Sequence, residues 1–143
     1  MASDIPRVLR TFTETFRPGS LEVFMTTFAP DATYCDPSFP VPVPVATARE
    51  NWAQLFTGFP DMTCETVALD AISERLWVWQ WILRGTQTGS FRGLPPTGRK
   101  IALPGCEIIE LRGDRVFRDV GYLDRLTMLA SLGFTVAPPK PPA

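Results

Sequence analysis

Histidine does not occur anywhere in this 143-residue chain. Its absence removes Ser-His-Asp and Cys-His nucleophilic machinery and most zinc and non-haem iron sites. Acid–base chemistry would therefore have to be carried by carboxylates, with Tyr, Arg or Cys assisting. Cysteine is scarce as well. Cys35, Cys64 and Cys106 are odd in number and far apart, which fits neither a disulfide framework nor a Cys-x-x-Cys metal clip. They read as small, buried, reduced packing residues. Charge of one sign is also missing: 14 basic and 15 acidic residues give a net −1 with no run of either. That leaves no electrostatic footprint for nucleic acid or an anionic membrane. No apolar stretch is long enough to span a bilayer. Residues 1–7 lack the basic region and apolar run of a signal peptide, so the cytoplasm is the expected location.

What is present is core-forming. Hydrophobic residues make up 45% of the chain and are spread along its length, enough for one domain and too few for two. Residues 4–17 have helical spacing of Ile5, Val8, Leu9, Phe12 and Phe16, with Ser3 or Asp4 able to cap and Pro6 in the first turn. Ser20 is placed to cap a second, short helix carrying Leu21, Phe24, Met25 and Phe28. A short strand is expected over 32–36. Four prolines between Pro37 and Val45 then predict a stiff extended loop that no central strand could contain. A third helix fits 46–56, with Trp52, Leu55 and Phe56 inward. From Asp61 the pattern turns to strands: 63–72 pairs with 75–88, and 99–111 pairs with 115–123 across Gly113-Asp114. Asp124 can cap a last helix over 125–132, stopped by Gly133. Residues 1–137 are expected to form the domain, and the Pro-rich residues 138–143 a disordered tail. Helices followed by long antiparallel strands indicate an α+β fold.

Two stretches carry a family likeness. Residues 85–99, Gly-Thr-Gln-Thr-Gly-Ser-Phe-Arg-Gly-Leu-Pro-Pro-Thr-Gly-Arg, resemble the SnoaL-like signature, in which Gly-Thr-His-Thr-Gly is followed by Gly-x-Pro-Pro-Thr-Gly. Phe59-Pro60-Asp61, Gly105-Cys106-Glu107-Ile108 and Asp124-Arg125-Leu126 support it, and the likeness extends over nearly the whole chain. The resemblance implies the cone-shaped fold of the nuclear transport factor two superfamily. There a strongly bent antiparallel or mixed sheet wraps a pocket closed by about three N-terminal helices, often in a homodimer. That superfamily includes isomerases, cyclases, epoxide hydrolases and non-enzymes, so the fold alone does not name the reaction.

Three carboxylates are candidate catalytic groups. Asp36, before Pro37, is similar in setting to the proton-shuttling Asp of ketosteroid isomerases; an Asp-Pro is also an ordinary strand-to-loop cap. Aligned on Asp124, polyketide cyclases and limonene epoxide hydrolase carry their acid/base Asp at the position of Gly121. Asp119, two residues earlier on what period-2 alternation makes the same face as 117, 121 and 123, could reach the same pocket about 6–7 Å along the strand. The structural alternative is a pair with Arg118 or Arg99. Glu107 resembles the site of the protonated oxyanion donor of ketosteroid isomerases, or it points outward. The isomerase tyrosine has no counterpart, because Phe12 and Phe16 stand there, leaving Tyr34 and Tyr122 as the available phenols.

Trp77, Trp79 and Trp81 share one sheet face. They form either an aromatic wall for a flat ligand or helix-to-sheet core or a dimer interface. If they face the helices or a partner, Gln80 and Arg84 become pocket or surface candidates. Gln87 replaces the usual His of the signature, and Pro-Pro-Thr-Gly reads as a structural connection, since no phosphate-loop sequel follows. The expected function is a cofactor-independent isomerase or aldol-type cyclase acting on a hydrophobic polycyclic or terpenoid-like carbonyl compound. Asp36, Asp119 and Glu107 would be catalytic, and Tyr34, Trp52, Trp79, Trp81 and Tyr122 would bind substrate. Epoxide opening or non-catalytic small-molecule binding are the alternatives. No metal, nucleic acid or membrane is expected.

Overall fold

A computed structural model describes residues 4–143. The first helix, α1 (Arg7–Thr15), starts three residues later than its apolar spacing predicts. Pro6 occupies the position before it with an extended ψ of 142° and supplies the entry geometry in place of a side-chain cap. Ser3 lies outside the described residues. Ser20 precedes α2 (Leu21–Met25) but makes no capping bond; its hydroxyl accepts from Arg17 Nε at 3.4 Å. Strand β1 (Phe28–Asp36) takes up Phe28, which the sequence assigns to the helix.

The expected Pro-rich loop is a strand. β2 (Phe39–Pro44) pairs antiparallel with β1, with Thr33 opposite Pro44 and Tyr34 opposite Val43. Prolines are tolerated here because β2 is an edge, bonded on one side only, and an edge residue can lack a donor on its free side. Helix α3 (Val45–Gly58) follows directly. β3 (Thr63–Ala71), β4 (Leu76–Thr86), β5 (Lys100–Arg112) and β6 (Arg115–Leu123) form an antiparallel meander, and α4 (Arg125–Ser131) closes the fold. Asp124 caps α4 as expected, its carboxylate accepting from Thr127 N at 3.0 Å. The six strands lie in the order β2-β1-β6-β5-β4-β3, and only β1 with β6 is parallel. This is the mixed, curled α+β sheet that the sequence predicts.

Helices α1, α2 and α3 cover the concave face with aromatic packing. Phe12 meets Phe24 at 4.8 Å and Trp79 edge-on at 5.7 Å, and Phe28 stacks on Trp52 at 5.7 Å. Rings this close gain interaction beyond their buried area. Trp77, Trp79, Trp81 and Leu83 are all buried on this face, whereas Gln80 and Arg84 are exposed on the other. Arg84 there pairs with Glu65 at 2.5 Å.

The 87–99 connection is tied down by its signature residues. Gln87, 0% exposed, donates from Nε2 to Pro95 O (3.2 Å) and accepts from Thr97 Oγ1 (2.7 Å). Gly89 sits against the end of α3 so closely that a Cβ would fall 2.1 Å from Thr57 O. The Pro-Pro-Thr-Gly segment is thus a clasped structural connection. The three cysteines are free and half-buried rather than buried. Residues 134–143 are exposed and carry no regular structure.

Candidate active site

The strands converge on a cavity between the concave sheet, α3, the 87–99 connection and α4. Its wall includes Tyr34, Asp36, Trp52, Trp81, Arg92, Glu107 and Arg125. The free space is about 60 Å³. That admits a few waters and is small beside the roughly 300–1,000 Å³ of drug-sized ligand sites. Phe16, Leu55, Phe91 and Met128 supply apolar parts of the same wall.

Asp36 ends β1 at an Asx turn. Its Oδ1 accepts from Ser38 N (2.6 Å) and Phe39 N (3.1 Å), and its Oδ2 accepts from Tyr34 Oη (3.1 Å). The strand-cap reading of Asp-Pro is correct for one oxygen, and the other still faces the cavity group. Glu107 lies on the concave face of β5, directly opposite Gly121 of β6. A methyl group placed on Gly121 would lie 3.4 Å from Tyr34 Oη, 3.5 Å from Asp36 Cβ and 3.7 Å from Glu107 Cγ. The missing side chain at Gly121 thus leaves a space that Tyr34, Asp36 and Glu107 surround.

Asp119 lies beside Tyr34 and Ile109 in register, 1% exposed. It pairs with neither Arg118 nor Arg99, and both its oxygens, like Glu107 Oε2, are buried without a hydrogen-bond partner. Arg118 is instead bonded to Glu110 across the outer face. Alternation along β6 is broken at Phe117. Leu111 faces Val116 and Glu110 faces Arg118, so one extra residue bulges and Phe117 packs under the Arg112 guanidinium at 4.3 Å.

Burial pushes the Asp119 carboxyl well above the usual carboxylate range, and the Asp36 charge adds to it. Glu107 is raised for the same first reason, then by Asp119 and Asp36. Burial also raises the Tyr34 phenol, followed by the charges of Glu107, Asp119 and Asp36. Burial thus opposes ionisation of two carboxyls and a phenol beside Asp36, which accepts from three donors.

The expected aromatic residues divide. Trp52 and Trp81 line the cavity. Trp79 is core, packed on Phe12 and donating from Nε1 to Thr66 Oγ1 at 2.9 Å. Tyr122 is 61% exposed on the convex face, beside Gln80 and Cys106, and does not join the cavity. Its backbone alternates with Gly121 and Leu123, so the side chain must leave by the other face. Tyr34 is therefore the cavity's phenol. Sequence reasoning missed Arg92, Arg125, Ser38 and Asn51. Arg92 carries the one signal that could have been used: it is a cation in a connection, residues 85–99, without a single acid. Among the described residues no cluster of acids, cysteines or histidines is arranged to hold a metal ion, and no helix is long and apolar enough to cross a membrane.

Solved structures share this architecture. AclR, a candidate hydroxylase from Streptomyces galilaeus, superposes with a TM-score of 0.80 at 19% identity, covering 93% of this chain and 83% of its own. IdmH, a candidate polyketide cyclase from Streptomyces antibioticus, is 28% identical at a TM-score of 0.75, covering 89% of this chain and 96% of its own. A candidate SnoaL-like polyketide cyclase from Jannaschia is 26% identical at a TM-score of 0.77, covering 97% and 99%. A search of curated proteins returns no match. The family model of the SnoaL-like polyketide cyclases matches residues 6–132, from the helix that closes the cone to the helix that seals the cavity. With signature, curled sheet and cavity in agreement, the chain belongs to the SnoaL-like polyketide cyclase family.

Proposed function

We propose that this protein is a cofactor-independent isomerase or cyclase that enolises a hydrophobic carbonyl compound, polycyclic or terpenoid-like, by carboxylate acid–base catalysis. One observation carries the reading: Asp36, Glu107 and the Tyr34 hydroxyl surround the open space left by Gly121. In this scheme Asp36 takes a proton from the carbon beside the carbonyl, and protonated Glu107 donates a hydrogen bond to the enolate oxygen as its charge develops. Tyr34 spends its one O–H on Asp36 Oδ2 and so holds the base in place. Asp119 is not part of the cavity wall; it and Glu107 are buried near one another, and burial together with mutual repulsion opposes ionising both.

For isomerisation, Asp36 returns the same proton to a different carbon. For an aldol closure, the enolate carbon attacks a second carbonyl of the substrate, Glu107 protonates the resulting alkoxide, and the proton on Asp36 restores Glu107. Family membership and the likeness to IdmH support the cyclase form.

The test is loss of α-protons from cyclic and steroid-like ketones in heavy water, followed by NMR. Asp36→Asn keeps an oxygen for the Ser38 and Phe39 amides, so the turn survives while the base is lost. Exchange should fall by about 10²–10⁴-fold. Exchange that survives in Asp36→Asn and vanishes in Asp119→Asn would move the base to β6. No exchange with any bound ketone would reject enolisation and leave epoxide opening or plain binding.

A further inference from the structure

Two cations stand in the cavity wall without an acidic partner. Arg92 donates from Nη2 to Ser38 Oγ at 2.9 Å and to Asn51 Oδ1, and Arg125 donates from Nη2 to the same Ser38 Oγ. Arg125 Nε is buried with no partner at all. Among the described residues neither guanidinium makes an ion pair; the exposed Arg7, Arg10, Arg17, Arg75 and Arg99 are unpaired as well, but Arg125 is the half-buried one. Two guanidiniums, Arg92 exposed at the rim and Arg125 half-buried, converge on one neutral hydroxyl, where their like charges repel. Burial lowers the Arg92 pKa, and the Arg125 charge lowers it further.

The Asp36 charge offsets this only in part and from outside hydrogen-bond contact, since its oxygens accept from Ser38 N, Phe39 N and Tyr34 Oη. The backbone points the same way. Arg92 has φ of +49°, among the described residues the one non-glycine in the left-handed region, although Gly93 beside it takes +77° without strain.

We infer that Arg92 and Arg125 form a docking site for a carboxylate on the substrate, with Ser38 Oγ lying between the two forks and Asn51 fixing Arg92. A carboxylate matches the planar guanidinium fork and offers two oxygens, one for each arginine. The wall sets two guanidiniums against Asp36, already engaged by three donors, and Glu107, whose Oε2 is buried without a partner, so a singly charged, two-oxygen group fits this wall better than a dianion. The substrate class is thus a carbonyl compound carrying an acid group within reach of its enolisable carbon. This inference rests on the cavity being the substrate site proposed above.

Benzoate, its neutral isostere benzamide and phenylphosphonate, which differ only in the head group presented to the arginines, are titrated by protein NMR. Benzoate should bind at least about tenfold more tightly than benzamide. That preference should fall to within about twofold in Arg92→Gln and Arg125→Gln, and should be partly kept in Arg125→Lys, which retains charge without the fork. Equal binding of benzoate and benzamide, or a preference untouched in both folded Gln variants, would overturn the proposal. Tighter binding of phenylphosphonate than benzoate would overturn the carboxylate assignment. Failure here is distinct from failure of the enolisation reading. Arginine-dependent benzoate binding without α-proton exchange on keto acids rejects only the chemistry. Exchange on keto acids that is unchanged in both arginine variants rejects only the docking site.

Discussion

Gly121 of β6 faces Glu107 of β5 in register, and a methyl group added to it would come 3.7 Å from Glu107 Cγ while also touching Tyr34 Oη and Asp36 Cβ at ordinary van der Waals distance. Gly121→Ala should therefore fold with a stability change within about 1 kcal/mol while filling the space beside Asp36. Thermal unfolding together with α-proton exchange checks this: exchange should fall at least about tenfold at nearly unchanged Tm. Undiminished exchange would show that the reacting carbon sits elsewhere.

Trp81 and Gly105 set the opposite limit. The indole lies against the Gly105 backbone, across the β4–β5 pairing, so that a Cβ there would fall 2.2 Å from the ring. Gly105→Ala should cost about 1–3 kcal/mol or more by overpacking, with Trp81 displaced from the cavity wall. Denaturant unfolding reads the first effect, and a change in intrinsic tryptophan fluorescence reads the second.

The buried acids give the protein a pH dependence of defined sign. Asp119 and Glu107 have folded values well above their ordinary 3.8 and 4.5. Just above those ordinary values the folded state keeps protons that the unfolded chain has released, so unfolding free energy falls as pH rises. The stabilisation is fully present below the ordinary values and is lost as pH climbs through the raised ones. Asp119→Asn, which cannot ionise, should flatten this slope and stabilise the protein at pH 8 by on the order of 1–3 kcal/mol relative to the parent. Urea midpoints between pH 5 and 8 check it, and an unchanged slope in Asp119→Asn would mean that the carboxyl is not held protonated.

Gln87 is the clasp of the 87–99 connection. Gln87→Ala leaves Thr97 Oγ1 and Pro95 O without their partner and opens a void at a fully buried site. A loss of about 2–4 kcal/mol is expected. Because Arg92 rides on this connection, backbone amide exchange over residues 88–98 should accelerate in the same variant.

Much of the architecture was legible from local signals. Trp77, Trp79 and Trp81 alternate on a strand, which is a purely local relation, and the structure places all three on one face. Alternation cannot say which face the helices cover, so core, wall and surface roles were open until Phe12 was seen against Trp79 and Tyr122 in solvent. Phe117 was assigned to the wrong face because a one-residue bulge reverses the alternation, and nothing in Arg-Val-Phe-Arg-Asp announces it. The prolines of 37–45 signalled unsuitability for a central strand, and β2 satisfies that condition by being an edge.

The sequence alone determined the family likeness, the α+β class and the chemical vocabulary: without histidine, any proton transfer in the cavity falls to carboxylates and phenols. It also named Asp36, Glu107 and Asp119. Only tertiary structure decided that the first accepts three hydrogen bonds while the other two carry buried oxygens without a partner, and that Arg92 and Arg125, far apart in the chain, meet on Ser38. The reason is physical. Residue type and spacing set what a side chain can do and which neighbours share its face. Desolvation and Coulomb interaction depend on distances through space, and those exist only once β1, β5, β6 and the 87–99 connection have closed around one point.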